Sequence, residues 1–168
     1  MEGPKEIPVT IRSFDPKDGD ACMKLYSEGL LGGAIAENDT GIDIDDIYEA
    51  YMASPKNHFW VAETTDGQVA GMIGVQHHDD GIGEVRRLRV RSEMRRRGIG
   101  TKLVETALKF CADNQYLKVT LDTFMDRDPA LKLFEKFRFN HDRTRNVGGK
   151  DLLYFYLDIY KTDKKQEA

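Results

Sequence analysis

Residues 95–100, Arg-Arg-Arg-Gly-Ile-Gly, restrict the fold more than any other stretch of this chain. A strand-like run over 84–90 leads into them, and an amphipathic run over 101–114 leads out. A strand that turns through two glycines into a helix leaves backbone N–H groups bare at the helix start. Glycine lets an anion approach those groups closely, and the helix end adds its positive dipole. Seven arginines between Arg86 and Arg97 raise the local positive potential further. The pattern predicts a site for a phosphorylated ligand.

Two common phosphate loops do not fit. A Walker loop needs Gly-x-x-x-x-Gly-Lys-Ser/Thr, which Gly98-Ile99-Gly100-Thr101-Lys102 does not supply. The dinucleotide fingerprint needs a third glycine where Leu103 stands. What remains is Arg-x-x-Gly-x-Gly after a strand.

At 168 residues, 40% hydrophobic and 32% charged, the chain predicts one globular domain over 1–161 and a charged tail at 162–168. No apolar run nears the roughly 18 residues of a membrane span, and the first residues lack the pattern of a secretion signal. Cys22 and Cys111 fall in predicted helices without metal spacing and read as free thiols of a reducing compartment. The expectation is therefore a cytoplasmic protein with no membrane partner. The four histidines form no HExxH or Cys/His cluster, so no metal is expected. His77-His78-Asp79-Asp80-Gly81 reads as a solvated hairpin turn. A net charge of −4 argues against a nucleic-acid partner. Residues 25–55 hold no Lys or Arg but seven acids, Glu28, Glu37, Asp39, Asp43, Asp45, Asp46 and Glu49. The charge is polarised, with one side for phosphates and another that attracts a cation.

Hydrophobic periodicity predicts strands at 7–13, 59–63, 69–76, 84–91, 117–123, 139–146 and 151–160. It predicts helices at 21–31, 43–53 and 98–114, and a last one opened by Asp128-Pro129. The order β-α-α-β-β-β-α-β-α-β-β implies an α/β (α+β) domain, a mixed central sheet with helices on both faces.

This order resembles the GCN5-related N-acetyltransferases (GNAT) over nearly the whole chain. The shared motifs are Arg95-x-x-Gly98-x-Gly100, Thr10-Ile11-Arg12, Phe59-Trp60-Val61-Ala62-Glu63, Arg87-Leu88-Arg89-Val90, and Ala130-x-x-Leu133-Phe134-Glu135-Lys136-Phe137-Arg138-Phe139. The start, Ile11-Arg12-Ser13-Phe14 with Asp18, Leu25 and Gly29-Leu30, is most similar to the camello, or N-acetyltransferase 8-like, branch. Members of that branch acetylate α-amino groups of small amino-acid-like molecules. Vertebrate members carry a hydrophobic membrane segment that has no counterpart in this sequence. The resemblance implies the acyl-CoA N-acyltransferase fold, acetyl-coenzyme A as donor, and direct attack by a small-molecule primary amine in a ternary complex. Polyamines, or lysine and N-terminal amines of proteins, stay open as acceptors, and a non-catalytic coenzyme A sensor stays open as a function. A homodimer is allowed.

The resemblance also assigns roles. Backbone N–H groups of Arg96, Arg97, Gly98, Ile99, Gly100 and Thr101 wrap the coenzyme A diphosphate, with Arg95 and its two neighbours adding charge. Leu88, Arg89 and Val90 offer main-chain groups to the pantetheine arm, and Arg127, Phe134 and Lys136 complete the donor site. Glu84, eleven residues before Arg95, takes the place of the family's glutamate base. An aliphatic amine of pKa ~10 is less than about 1% neutral at pH 7, so a base or a desolvating pocket is required. An exposed glutamate paired with Arg86 is the plainer reading of the same residue. The family's usual acid is a tyrosine where Phe134 stands; Arg138 replaces the usual glycine and Arg127 a common asparagine. Tyr154 and Tyr156 are the expected substitutes, although a thiol of pKa ~8–9 can also leave unaided. For the acceptor, Glu37, Asp39, Asp122 and Thr123 are expected to meet the amine, and Arg143 and Arg145 to hold a carboxylate.

Overall fold

The computed structural model describes residues 6–28, 39–124 and 128–160. Seven strands form one sheet: β1 (Val9–Ser13), β2 (His58–Thr64), β3 (Val69–Asp79), β4 (Ile82–Val90), β5 (Lys118–Phe124), β6 (Asn140–Val147) and β7 (Lys150–Asp158). Their order is β1-β2-β3-β4-β5-β7-β6, antiparallel throughout except at β4 and β5. The helices are α1 (Gly19–Ser27), α2 (Ile42–Asp45), α3 (Ile99–Asp113) and α4 (Asp128–Lys136). This is the mixed sheet that the periodicity predicts.

Local chemistry sets the boundaries. Ahead of α1, the Asp15 and Asp18 side chains cap the Pro16–Asp18 turn reciprocally, and Arg12 holds Asp18 through two hydrogen bonds of 2.7 and 2.9 Å. Helix α3 places Ile99, Leu103, Val104, Ala107 and Cys111 on its buried face. Full burial of Leu103 alone contributes on the order of 2 kcal/mol. The β6–β7 turn uses Gly148 and Gly149, both at positive φ, as a tight hairpin requires.

Two expectations need correcting. The helix predicted over 43–53 breaks at Asp46, whose φ of −145° is extended, so α2 is followed by a separate π-helical turn, Tyr48–Met52. Asp46 accepts from the Glu49 N–H at 3.1 Å and thereby caps that second turn. His77, His78 and Asp79 belong to β3, and only Asp80 and Gly81 make the turn.

One face of the sheet packs on α3 and α4 through a cluster that includes Trp60, Ile73, Val85, Leu103, Val119 and Phe134. The other face packs on α1, α2 and the π-turn through Phe14, Leu25, Tyr26, Ile44, Tyr51 and Phe59. That second cluster draws on β2 and β3. Among the described residues no helix is long and apolar enough to cross a membrane.

Candidate active site

β4 and β5 pair only over Ile82–Glu84 and Lys118–Thr120, and then part. Beyond Glu84 the β5 side of β4 has no strand opposite it. A β-bulge accompanies the parting. Gly74 pairs with Arg86 and Met72 with Arg89, so Arg87 and Leu88 together face the single residue Ile73. Arg87 sits at φ +60°, a region that costs a non-glycine residue on the order of 1 kcal/mol. The bulge breaks alternation and brings consecutive arginines to the α2 face.

A network holds Arg87 there. Its Nε and Nη2 donate to Asp43 at 2.9 and 2.6 Å, Nη2 also donates to Asp39 at 2.9 Å, and Nη1 donates to the second Asp39 oxygen. Tyr51 donates to Asp43 at 2.5 Å, and the Tyr26 ring lies 5.0 Å from the guanidinium. Burial by itself would raise the Asp43 carboxyl, but the bonds from Arg87 and Tyr51 outweigh it and hold it at about 2. Asp39 is also held below its usual range, its burial outweighed by Arg87. The charge of the predicted acceptor residue Asp39 is therefore committed to Arg87.

A groove of about 500 Å³ opens between the end of β4 and the start of α3. Gly98, Ile99, Gly100 and Thr101 line it together with Arg95 and Arg96. Gly98 has φ +84°, which turns the chain into α3, whose first N–H groups have no carbonyl to meet inside the helix. Leu88, Val90, Met94 and Leu133 add an apolar strip. Helix-start donors, two cations and an apolar path fit the diphosphate and pantetheine arm of coenzyme A. Lys136 reaches this end of the groove, 3.4 Å from Thr101 Oγ1. Arg97 lies outside the lining: its carbonyl accepts the Ile7 N–H at 3.2 Å, on the β1 side of the turn.

A second cavity, about 740 Å³, lies on the α2 side and shares Leu88, Arg89 and Ala130 with the groove. Six carboxylates line it (Asp39, Asp43, Asp46, Glu49, Glu84 and Asp122) against three arginines, so its field favours a cation. Glu84 and Asp122 stand on either side of the parting. Glu84 Oε1 is 3.4 Å from Arg86 Nε, and Oε2 is 3.3 Å from His78 Nδ1. Burial pushes the Glu84 carboxyl above its usual range, with Arg86 opposing and Asp122 adding to the rise. Asp122 is raised too, again by burial. Glu84 thus contacts Arg86 and lines the cavity, half-buried rather than exposed.

Phe134 and Thr123 also line the cavity, both buried. Tyr154 and Tyr156 do not; they stand on β7, opposite Asp122 and Thr120, beneath Arg143 and Lys118 respectively. Arg143 and Arg145 lie farther out, on edge strand β6. Arg143 and Arg145 fall beyond the cavity because β7, not β6, is the neighbour of β5. Arg127 and Glu37 lie outside the described residues. Cys22 and Cys111 are buried, and burial pushes both thiols up to about 12, which leaves neither as a nucleophile near neutral pH.

Sequence reasoning missed Arg86, Arg87, Asp43 and Gln76 as a connected group. The irregularity of β4 had a trace: its apolar residues Ile82, Val85, Leu88 and Val90 are spaced by three, three and two, where a regular strand repeats every two.

The family model described as the acetyltransferase (GNAT) family matches residues 23–139. Human N-acetyltransferase 8 is 37% identical over 102 residues, 58% of this chain and 44% of its own. Human N-acetylaspartate synthetase is 36% identical over 120 residues, 71% of this chain and 39% of its own. A camello N-acetyltransferase of Xenopus tropicalis is 36% identical over 123 residues, 71% and 53% of the two chains. The chain thus spans about half or less of the length of these curated relatives. Among solved structures, the Salmonella typhimurium yncA structure with its cofactor acetyl-CoA superposes with a TM-score of 0.76, covering 90% of this chain and 94% of that one at 21% identity. A GCN5-related N-acetyltransferase from Kribbella flavida gives 0.77, covering 90% and 98% at 16% identity. With the family model matching well over half its residues, the chain belongs to the acetyltransferase (GNAT) family.

Proposed function

We propose that the protein is an acetyl-coenzyme A dependent N-acetyltransferase whose acceptor is a primary amine of a small amino-acid-like molecule. One observation carries the reading. A groove fitted to a diphosphate opens, at the parting of β4 and β5, into an acidic cavity that holds a carboxyl raised by burial. Acetyl-coenzyme A supplies an activated acyl group as its thioester.

The chain's residues supply the rest. The amine arrives as an ammonium, attracted by the net negative cavity. Glu84 accepts its proton, and because burial has raised that carboxyl it is a stronger base than an exposed glutamate. Arg86 and His78, at 3.4 and 3.3 Å, hold the carboxylate in place. Leu88, at the bulge of β4, lines both the groove and the cavity, and a main-chain N–H there would stabilise charge on a carbonyl oxygen. No tyrosine stands at Phe134, so the carbon–sulfur bond breaks to give a thiolate, which takes the second proton that the nitrogen sheds on becoming an amide.

The relative named N-acetylaspartate synthetase favours an amino-acid-like acceptor over a polyamine, although the chain matches only 39% of that protein. The test is thiol release from acetyl-coenzyme A across amino acids, polyamines and peptides, with products identified by mass spectrometry. Acetylated amino acids are expected. Thiol release with polyamines alone would overturn the substrate class, and silence across the panel would favour a coenzyme A sensor.

A further inference from the structure

We infer that Arg86 receives the acceptor's α-carboxylate while Glu84 faces its ammonium, so that the cavity selects α-amino acids over amines that lack a carboxylate. This rests on the N-acetyltransferase reading above and specifies its substrate class.

The two side chains form a matched pair. They are alternate residues of β4, both line the cavity, and Glu84 Oε1 lies 3.4 Å from Arg86 Nε. An α-amino acid carries its two oppositely charged groups on one carbon, so its receptor needs opposite charges about this close together. Gln76 fixes the Arg86 fork by accepting from Nη1 at 2.7 Å and is itself tied to the Ala50 carbonyl at 3.1 Å. Nη2 of Arg86 donates to no described residue, and the side chain keeps 34% of its surface open. A carboxylate docking there gains charge-assisted bonds from a guanidinium already held in position. It would otherwise meet a cavity of six carboxylates and be repelled.

Arg87, Arg143 and Arg145 fit worse. Arg87 is spent on Asp39 and Asp43, with a side chain only 7% exposed. Arg143 stands on β6 opposite Tyr154, which in turn is opposite Asp122 on β5. That is two strand spacings, roughly 10 Å. An α-carboxylate cannot reach so far while its amine faces Glu84. Arg145, beside Leu152 on the same edge strand, is equally remote.

The test compares kcat/KM for several α-amino acids with that for their decarboxylated amines, in the unsubstituted protein and in Arg86→Met, Arg86→Lys and Arg143→Met. The unsubstituted protein is expected to prefer the amino acid by at least about tenfold, the worth of one charged hydrogen-bonded contact. Arg86→Met should bring the ratio close to one, chiefly through KM. Arg86→Lys should recover part of it, and Arg143→Met should keep the original ratio. An unchanged ratio in Arg86→Met, or a ratio lost in Arg143→Met instead, overturns the assignment and leaves the N-acetyltransferase reading standing. If the unsubstituted protein turns over no amine at all, both fall. Should Arg86→Met fail to fold, the amino-acid amide, equal in shape but without the negative charge, should be disfavoured by the unsubstituted protein and not by Arg86→Lys to the same degree; equal ratios in both overturn the assignment.

Discussion

Arg87 and Asp43, far apart in the chain, meet through two hydrogen bonds, 2.9 Å from Nε and 2.6 Å from Nη2. The pair fastens α2, on one side of the cavity, to the bulge of β4 on the other. Arg87→Met leaves two half-buried carboxylates without their cation, which costs about 1–3 kcal/mol. Urea denaturation should show this loss, and adding Asp43→Asn should recover part of it. A loss under about 1 kcal/mol would mean that the network does not hold α2 in place.

The same pair sets a pH dependence. Asp43 is held at about 2 from an ordinary 3.8, which at ~1.4 kcal/mol per unit is worth about 2 kcal/mol. A depressed carboxyl contributes stability above its unfolded value and loses it as pH falls through the folded one. The gap in stability between the unsubstituted protein and Asp43→Asn should therefore be full at pH 7 and close between about pH 4 and pH 2. Stability curves that run parallel down to pH 2 would refute the pairing.

Glu84→Gln should lower kcat by about 10²–10⁴, the usual worth of a general base. Because burial raises the Glu84 carboxyl, the acidic limb of kcat/KM should lie above the ordinary glutamate range, and rates should fall as pH drops through it. The variant should lose that limb. An identical limb in both proteins would assign the titration to another group, with Asp122, also raised and in the same cavity, the first to examine.

The strands and helices were legible in the sequence because burial on two faces writes period-two and period-3.6 patterns directly. The groove at the start of α3 was legible because most of its lining lies within one contiguous stretch, from Leu88 to Thr101. The acceptor cavity was less so. Arg87 pairs with residues that lie 44 and 48 positions away, and only the folded sheet brings them together. Arg143 and Arg145 looked close to the site because chain order says nothing of strand order: β7 inserts between β5 and β6 and carries β6 to the edge. The single helix expected over 43–53 failed because Asp46 offers its side chain to the backbone and starts a new turn.

Gly98→Val should abolish coenzyme A binding while the far-ultraviolet circular dichroism stays native. A β-branched residue at φ +84° is strained, and the helix start must shift to relieve it. Gly100→Val should act similarly, since a Cβ there already meets Leu133 at 3.3 Å. Calorimetric titration with coenzyme A reads the outcome, and affinity retained in both variants would place the diphosphate elsewhere.

The most direct measurement is a crystal structure of the protein grown with coenzyme A. The diphosphate should lie against the backbone of Gly98 and Gly100, with the pantetheine arm along Leu88 and Val90 and its sulfur directed toward the cavity of Glu84. A ligand bound away from the parting of β4 and β5, with that groove empty, would contradict the account.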